Sequence, residues 1–323
     1  MDIKAYLYDA AGADEEVSPE DVDIRKLKAK QLLWINVSER HEETIRRVAA
    51  AIHLEGVPIH SVIRKEDRPR IENYGTFFRF SINSVRMEKD SNPKALVIDY
   101  IVGRNFVVTV HDGDVEYFDD FRKREKGETN LGELDAESFL ATLLDLHIVS
   151  YFKAMEEIER RVDKFDENIL ETEMDSNQLL SEMVKLRRHV SDLRRWLIPH
   201  RDVFYAMSRT DFRQIAESGS VEEYKSLNDH FENAVDAIER ARETVLGVFE
   251  LYATKSAQTT NTLVQRLTFL TLLTGSLAVI AGILGMNFKA DIFDAANGFW
   301  MTVAGLAAVA IALTIFARFK RWI

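Results

Sequence analysis

Residues 267–288, LTFLTLLTGSLAVIAGILGMNF, lie between Arg266 and Lys289 without a single charge. At about 1.5 Å per residue such a run, wound as one helix, crosses the ~30 Å hydrocarbon layer of a bilayer. A second uncharged run, AANGFWMTVAGLAAVAIALTIFA (295–317), follows before Arg318. Two membrane-spanning helices joined by a short loop are therefore expected. The loop carries Lys289, Asp291 and Asp294, whereas Lys255 and Arg266 precede the first run and Arg318, Lys320 and Arg321 follow the second. Basic flanks outside the pair predict a multi-pass protein of the plasma (inner) membrane with both termini cytoplasmic, and the basic tail set among anionic headgroups of the lipid bilayer. Trp300 and Trp322 are expected at opposite interfaces. The opening MDIKAYLYDAAGADEE has no signal-peptide pattern, in keeping with a cytoplasmic N-terminus.

Working back from the two runs, most of the chain expects water. The 323 residues are 46% hydrophobic and 29% charged, with a formal net charge of −11. An acidic chain without clustered Lys and Arg is unsuited to nucleic acid and suited to cations. There is no cysteine, which excludes disulfides and thiolate metal sites. Up to about residue 130, runs such as QLLWINV (31–37), GTFFRFSINSVRM (75–87), LVIDYIV (96–102) and NFVVTVH (105–111) read as strands. They alternate with helical patterns, notably HEETIRRVAAAIHL (41–54), so a mixed α/β domain is expected over 1–130.

From 131 to 262 turn signals nearly vanish, and heptad-like apolar spacing predicts long helices forming a bundle and stalk. One of these runs through LLSEMVKLRRHVSDLRRWLIPHRDVFYAM (179–207). Another starts near Ser220, where Ser220 and Glu223 form a capping-box pattern, and meets no proline before the membrane. The remaining divisions are a first span at 263–288, an extracellular or periplasmic loop at 289–297, a second span at 298–318 and a basic tail at 319–323. The fold class is thus an α+β cytoplasmic domain, a long helical stalk and two C-terminal transmembrane helices.

Within the first span two seams recur. Asn261, Thr268, Gly275 and Gly282, with Val264, Thr271 and Ala278 beside them, make a small and polar seam; Leu263, Leu270, Leu277 and Leu284 make an apolar one. Two residues' offset is about 200° around a helix, so the seams are nearly opposed. Small residues in membrane helices serve close packing, and that reading stands for the glycines alone. The added Asn261, Thr268 and Thr271 favour a pore lining, which a protein with two spans encloses only as an oligomer.

Gly285-Met286-Asn287 closing the first of two C-terminal spans, then a short loop, a second span and the tail FKRWI, resembles the CorA-type divalent-cation transporter family. LLWINV is similar to the family's Trp-Ile-Asn strand, RPRIEN to its Arg-Pro-basic segment before a hairpin, and FVVTVHD to the strand after it. The resemblance covers nearly the whole chain. It implies a homopentameric funnel whose stalk helices become the pore-lining first spans, with Gly285, Met286 and Asn287 as the selectivity filter. Mg²⁺ dehydrates reluctantly, so a ring of neutral oxygens on Asn287 that hydrogen-bonds its water shell suits an entrance. Gly285 would let the backbone turn toward the axis and Met286 would pack behind it; a helix C-cap for Asn287 and core filling for Met286 are the alternatives. Asp291 and Asp294 are candidates for an outer cation-attracting ring, or are solvated loop charge. Glu250, a heptad-like step below the span, is a candidate low-affinity metal position.

The sequence also departs from the family. The loop FKADIFDAANG lacks the Met-Pro-Glu stretch common after the motif, and Ser61 and Ser226 stand where acids would hold an inter-subunit regulatory metal. The loss of those acids is natural in the zinc-transporting, ZntB-like branch, whose motif is often altered more than it is here. A membrane potential supplies about 2.3 kcal/mol per charge per 100 mV, so a divalent ion needs no fuel, and no phosphate loop or GxGxxG is present. The expected function is Mg²⁺ influx (also Co²⁺ and Ni²⁺) through a homopentameric channel driven by membrane potential, with no cofactor besides the transported ion. A proton-linked Zn²⁺ transporter on the same fold is the alternative, and a non-transporting membrane-anchored oligomeric scaffold the alternative of another class. No nucleophile, base and oxyanion arrangement suggests an enzyme. The eight histidines show no paired metal spacing, and His111-Asp112-Gly113-Asp114 reads as a strand-ending turn.

Overall fold

The computed structural model describes residues 3–9, 14–28, 30–54, 59–64, 68–88, 92–125, 135–171, 176–286 and 297–320. They fall into two compact units, one comprising residues 1–168 and 173–248, the other residues 169–172 and 249–323.

The first unit is built on a single sheet. Its strands are β1 (Ile3–Asp9), β2 (Glu15–Val17), β3 (Gln31–Val37), β4 (Ile71–Asn73), β5 (Phe77–Met87), β6 (Pro93–Gly103) and β7 (Phe106–His111). They lie in the order β2-β1-β3-β7-β6-β5-β4, with β3 and β7 parallel and every other neighbouring pair antiparallel. The four strands expected from sequence are present; β1, β2 and β4 extend the sheet on both sides. Period-2 alternation decides what each face carries. Leu33, Ile35 and Val37 of β3 join Val108 and Val110 of β7 beneath α1 (Glu42–Ala51) and α2 (Ile59–Ile63), against Ile45, Val48 and Val62. The opposite face carries Trp34, whose ring meets Phe118 of α3 (Glu116–Glu125) edge-on at 5.4 Å and Phe139 of α4 (Ala136–Glu171) at 5.6 Å. Its indole N–H donates to Thr109 Oγ1 at 3.1 Å, which spares a fully buried donor the cost of going unpaired.

Past α4 come α5 (Ser176–Leu197), α6 (Arg201–Ser208), α7 (Arg213–Ser218) and α8 (Val221–Leu284). The heptad run expected over 179–207 is interrupted: Ile198–His200 forms a 3₁₀ turn around Pro199, because proline offers no N–H to the helix ladder. The capping box expected at Ser220 and Glu223 is used differently. Ser220 Oγ lies 3.1 Å from Ser218 Oγ and 3.3 Å from Ser138 Oγ, and Ser138 also bonds the Glu223 carboxylate, so the pair ties the start of α8 to α4.

One cluster of buried charge is fully paired. Asp99 on β6, 0% exposed, receives Arg40 Nη1 on one oxygen and Arg79 Nη2 on the other at 2.7 Å. Arg40 Nη2 further donates to Val97 O at 2.8 Å and Val110 O at 3.1 Å, and Arg79 Nη2 to Ser61 O at 2.9 Å. Burial raises the Asp99 carboxyl, and the two guanidinium groups oppose that rise. Nearby, His111 Nδ1 lies 2.7 Å from Gly113 O, with Gly113 at φ 92°, so the His111–Asp114 stretch is the strand-ending turn that its residues suggested. Burial holds His111 and His200 down to about 4 and His147 well below its ordinary range, which keeps all three neutral.

The second unit contains the end of α8 and α9 (Gly298–Phe319). These two helices are long and apolar enough to cross a membrane.

Candidate functional site

The membrane-facing part of α8 sorts its residues by covering. Phe269, Leu273, Ser276, Leu277, Ile280 and Leu284 are partly shielded, at helical spacing. On α9 the corresponding stripe is Gly298, Thr302, Leu306, Val309, Ala310, Leu313 and Ala317, with Gly298 and Ala317 buried. The leucine seam is therefore divided. Leu277 and Leu284 belong to the shielded stripe, whereas Leu263 and Leu270 are 56% and 57% exposed.

The small and polar seam behaves as a unit. Asn261, Val264, Thr268, Thr271, Gly275, Ala278 and Gly282 are all exposed, so no part of their own chain covers them. A Cβ added at Gly275 or Gly282 would meet nothing within 4 Å. Within one chain, then, no neighbour requires glycine there, and any such requirement comes from a second helix or from whatever moves along the seam. Thr271 Oγ1 donates its proton to Leu267 O at 2.8 Å, which leaves the oxygen's lone pairs outward as acceptors. Such an oxygen meets a hydrated cation without carrying charge. The seam runs further down than the sequence reading took it. Thr254 and Ala257 are exposed on the same stripe and lead to Glu250, itself exposed. Repeating the 3-then-4 spacing below Asn261 is the signal that finds them.

At the upper end, Gly285 N bonds Ala281 O at 2.9 Å and Met286 N bonds Ile283 O at 3.2 Å. Gly285 is not among the positive-φ glycines. A Cβ there would lie 3.3 Å from Ala281 O, so glycine serves close packing at the helix end. Met286 is 53% exposed and fills no core within its own chain. Asn287, Asp291 and Asp294 lie outside the described residues, as do Arg321 and Trp322. Trp300 and Phe299, 70% and 72% exposed, form an edge-on pair at 5.5 Å at the start of α9.

Ser61 sits half-buried on α2 with its carbonyl taken by Arg79, and Ser226 is exposed on α8. Among the described residues no group of three or more His, Cys, Asp or Glu is arranged to hold a metal ion, and Glu250 stands apart from any such group.

A family model described as CorA-like Mg²⁺ transporter protein matches residues 29–321. The cobalt/magnesium transport protein CorA of Thermotoga maritima is 22% identical over 294 residues, covering 90% of this chain and 83% of that one. The zinc transport protein ZntB of Yersinia enterocolitica is 22% identical over 203 residues, 62% of this chain and 59% of that one. The complete structure of the CorA magnesium transporter from Methanocaldococcus jannaschii matches with a TM-score of 0.81 at 18% identity, covering 99% of this chain and 98% of that one, a likeness of fold. With the family model running from residue 29 to residue 321, the chain belongs to the family of CorA-like Mg²⁺ transporter proteins.

Proposed function

We propose that the protein conducts divalent cations, Mg²⁺ foremost and Co²⁺ or Ni²⁺ besides, inward through a homopentameric channel in the plasma (inner) membrane. The observation that carries this reading is the exposed seam from Asn261 to Gly282, which is polar or small at every position but Val264 while the shielded stripe of the same helix is mostly apolar. Five such seams around an axis enclose a passage lined by uncharged oxygens and small side chains. The division into domain, stalk, two spans, loop and tail follows the sequence boundaries, with both termini cytoplasmic.

At the outer mouth, the Asn287 ring of the Gly285-Met286-Asn287 motif holds the ion through its water shell, and Asp291 and Asp294 raise the local cation concentration. A divalent ion gains roughly 4.6 kcal/mol from 100 mV, equivalent to more than about a thousandfold accumulation. Neither helix offers a charged or histidine side chain within its apolar run, so voltage rather than a proton relay drives entry. Purified protein in liposomes should pass Mg²⁺ under an imposed potential, and Asn287→Ala should alter Mg²⁺ selectivity over Co²⁺ and Zn²⁺. Equal flux and equal selectivity in that variant would remove the filter from the proposal.

A second reading keeps the fold and changes the cargo. The loop FKADIFDAANG and the hydroxyls at Ser61 and Ser226, together with the relation to a zinc transport protein, favour proton-linked Zn²⁺ transport. Zinc uptake driven by a pH gradient at zero potential separates the two readings.

A further inference from the structure

Away from the membrane helices, the first unit holds a cleft of about 690 Å³ between strands β5 and β6 and the break that separates α5 from α6. Its volume falls within the usual range for small-ligand sites. The floor is fixed from behind by buried bonds. Asn83 N donates to His200 Nε2 at 2.8 Å and Asn83 O accepts Tyr151 Oη at 2.6 Å, while Val97 O accepts Arg40 Nη2 at 2.8 Å. His200 and Tyr151 are fully buried, so these bonds hold the two strands without solvent.

The lining combines two chemistries. Trp196 is half-buried in the wall beside Pro69 and Pro199, and its indole N–H has no hydrogen-bond partner among the described residues. At the mouth stand Arg68 and Arg195. Arg68 makes no ion pair among the described residues; Arg195 touches Asp192 at 2.8 Å, yet its side chain remains 72% exposed. Asp202 is the one carboxylate among the lining residues. In a chain of net charge −11, the lining of this cleft brings together two guanidinium groups, an aromatic plane and one acceptor, a set that suits an anionic ligand with a flat ring.

We propose that this cleft binds a nucleoside polyphosphate, its base against Trp196 and its phosphates held by Arg68 and Arg195. Guanidinium groups match phosphate oxygens in pairs, and an aromatic wall accepts any base by its face. Asp202 accepts from a ribose hydroxyl or an exocyclic amine and repels phosphate, which sets the orientation.

The test is isothermal titration of the full chain in detergent micelles with ATP in EDTA buffer, beside inorganic tripolyphosphate. Saturable ATP binding in the micromolar range is expected, with tripolyphosphate at least about tenfold weaker. Arg68→Ala combined with Arg195→Ala should weaken ATP by at least about tenfold, and Trp196→Phe should retain more affinity than Trp196→Ala. No saturable binding up to millimolar ATP overturns the site, and so does unchanged affinity in a folded double arginine variant. Equal binding of ATP and tripolyphosphate reduces it to a polyanion surface and overturns the nucleotide assignment. That comparison needs no variant, so it stands if a substitution fails to fold. No ion flux enters the measurement, and failure here leaves the transport reading untouched, as failure there leaves this one.

Discussion

The two compact units place their polar residues by opposite rules. In the sheet unit most buried polar groups have a partner: Asp99 lies between two arginines, Trp34 Nε1 on Thr109, and the Asn83 backbone between His200 and Tyr151, while the ring nitrogens of buried His147 have no hydrogen-bond partner among the described residues. In the unit of apolar helices the polar and small residues Asn261, Thr268, Thr271, Gly275 and Gly282 are exposed and the shielded stripe is mostly aliphatic. The first unit satisfies most of its buried polar groups within its own chain, since each costs free energy when left unpaired. The second is finished only by what lies outside the chain, whether another subunit, lipid or water. A sequence can therefore encode one domain for self-sufficiency and its neighbour for assembly.

The largest test of this contrast is Asp99→Ala. It leaves Arg40 and Arg79 buried without their shared anion, and a loss of about 3–5 kcal/mol is expected, read as lower cooperative thermal unfolding of the sheet unit. Acid comes next. Burial holds His111 and His200 down to about 4 and His147 well below its ordinary range, against an unfolded value of about 6.5. The unfolded chain thus takes up protons first. These three histidines should make stability fall as pH drops from about 6.5 toward about 4, and denaturant titrations across that range measure it.

On the other side of the comparison, Gly275→Leu adds bulk where nothing in the chain lies within 4 Å. Thermal stability should hold while ion flux in liposomes falls by at least about tenfold, a barrier change of about 1.4 kcal/mol. Unchanged flux would mean that the seam faces lipid. The smallest effect is expected at Leu270, exposed on the opposite seam: Leu270→Ala should shift stability by less than about 0.5 kcal/mol and leave flux near the original value.

Much of this arrangement is legible in the sequence where a period is long or a composition extreme. The uncharged runs mark α8 and α9, and alternation in QLLWINV and NFVVTVH marks strands whose faces divide as the pattern says. The seam from Asn261 to Gly282 is also readable, because a heptad spacing on a straight helix is local geometry. Less legible are β1, β2 and β4, whose short or edge runs carry weak patterns, and Arg40, which looks like an ordinary loop charge until β6 brings Asp99 beside it. Ser220 and Glu223 mark the start of α8 at Val221, but their local pattern says nothing of Ser138, 82 residues earlier in sequence than Ser220, which lies beside both.

By itself, the sequence determined what depends on near neighbours along the chain: two long apolar helices, the strands of the central sheet, and the small and polar stripe. Tertiary structure alone decided what depends on residues far apart meeting: the Arg40–Asp99–Arg79 cluster, the burial that keeps three histidines neutral, the break at Pro199 with its cleft, and the fact that the stripe is left uncovered by its own chain. Periodicity is a property of one segment, whereas burial and pairing exist only once several segments have displaced water from between them.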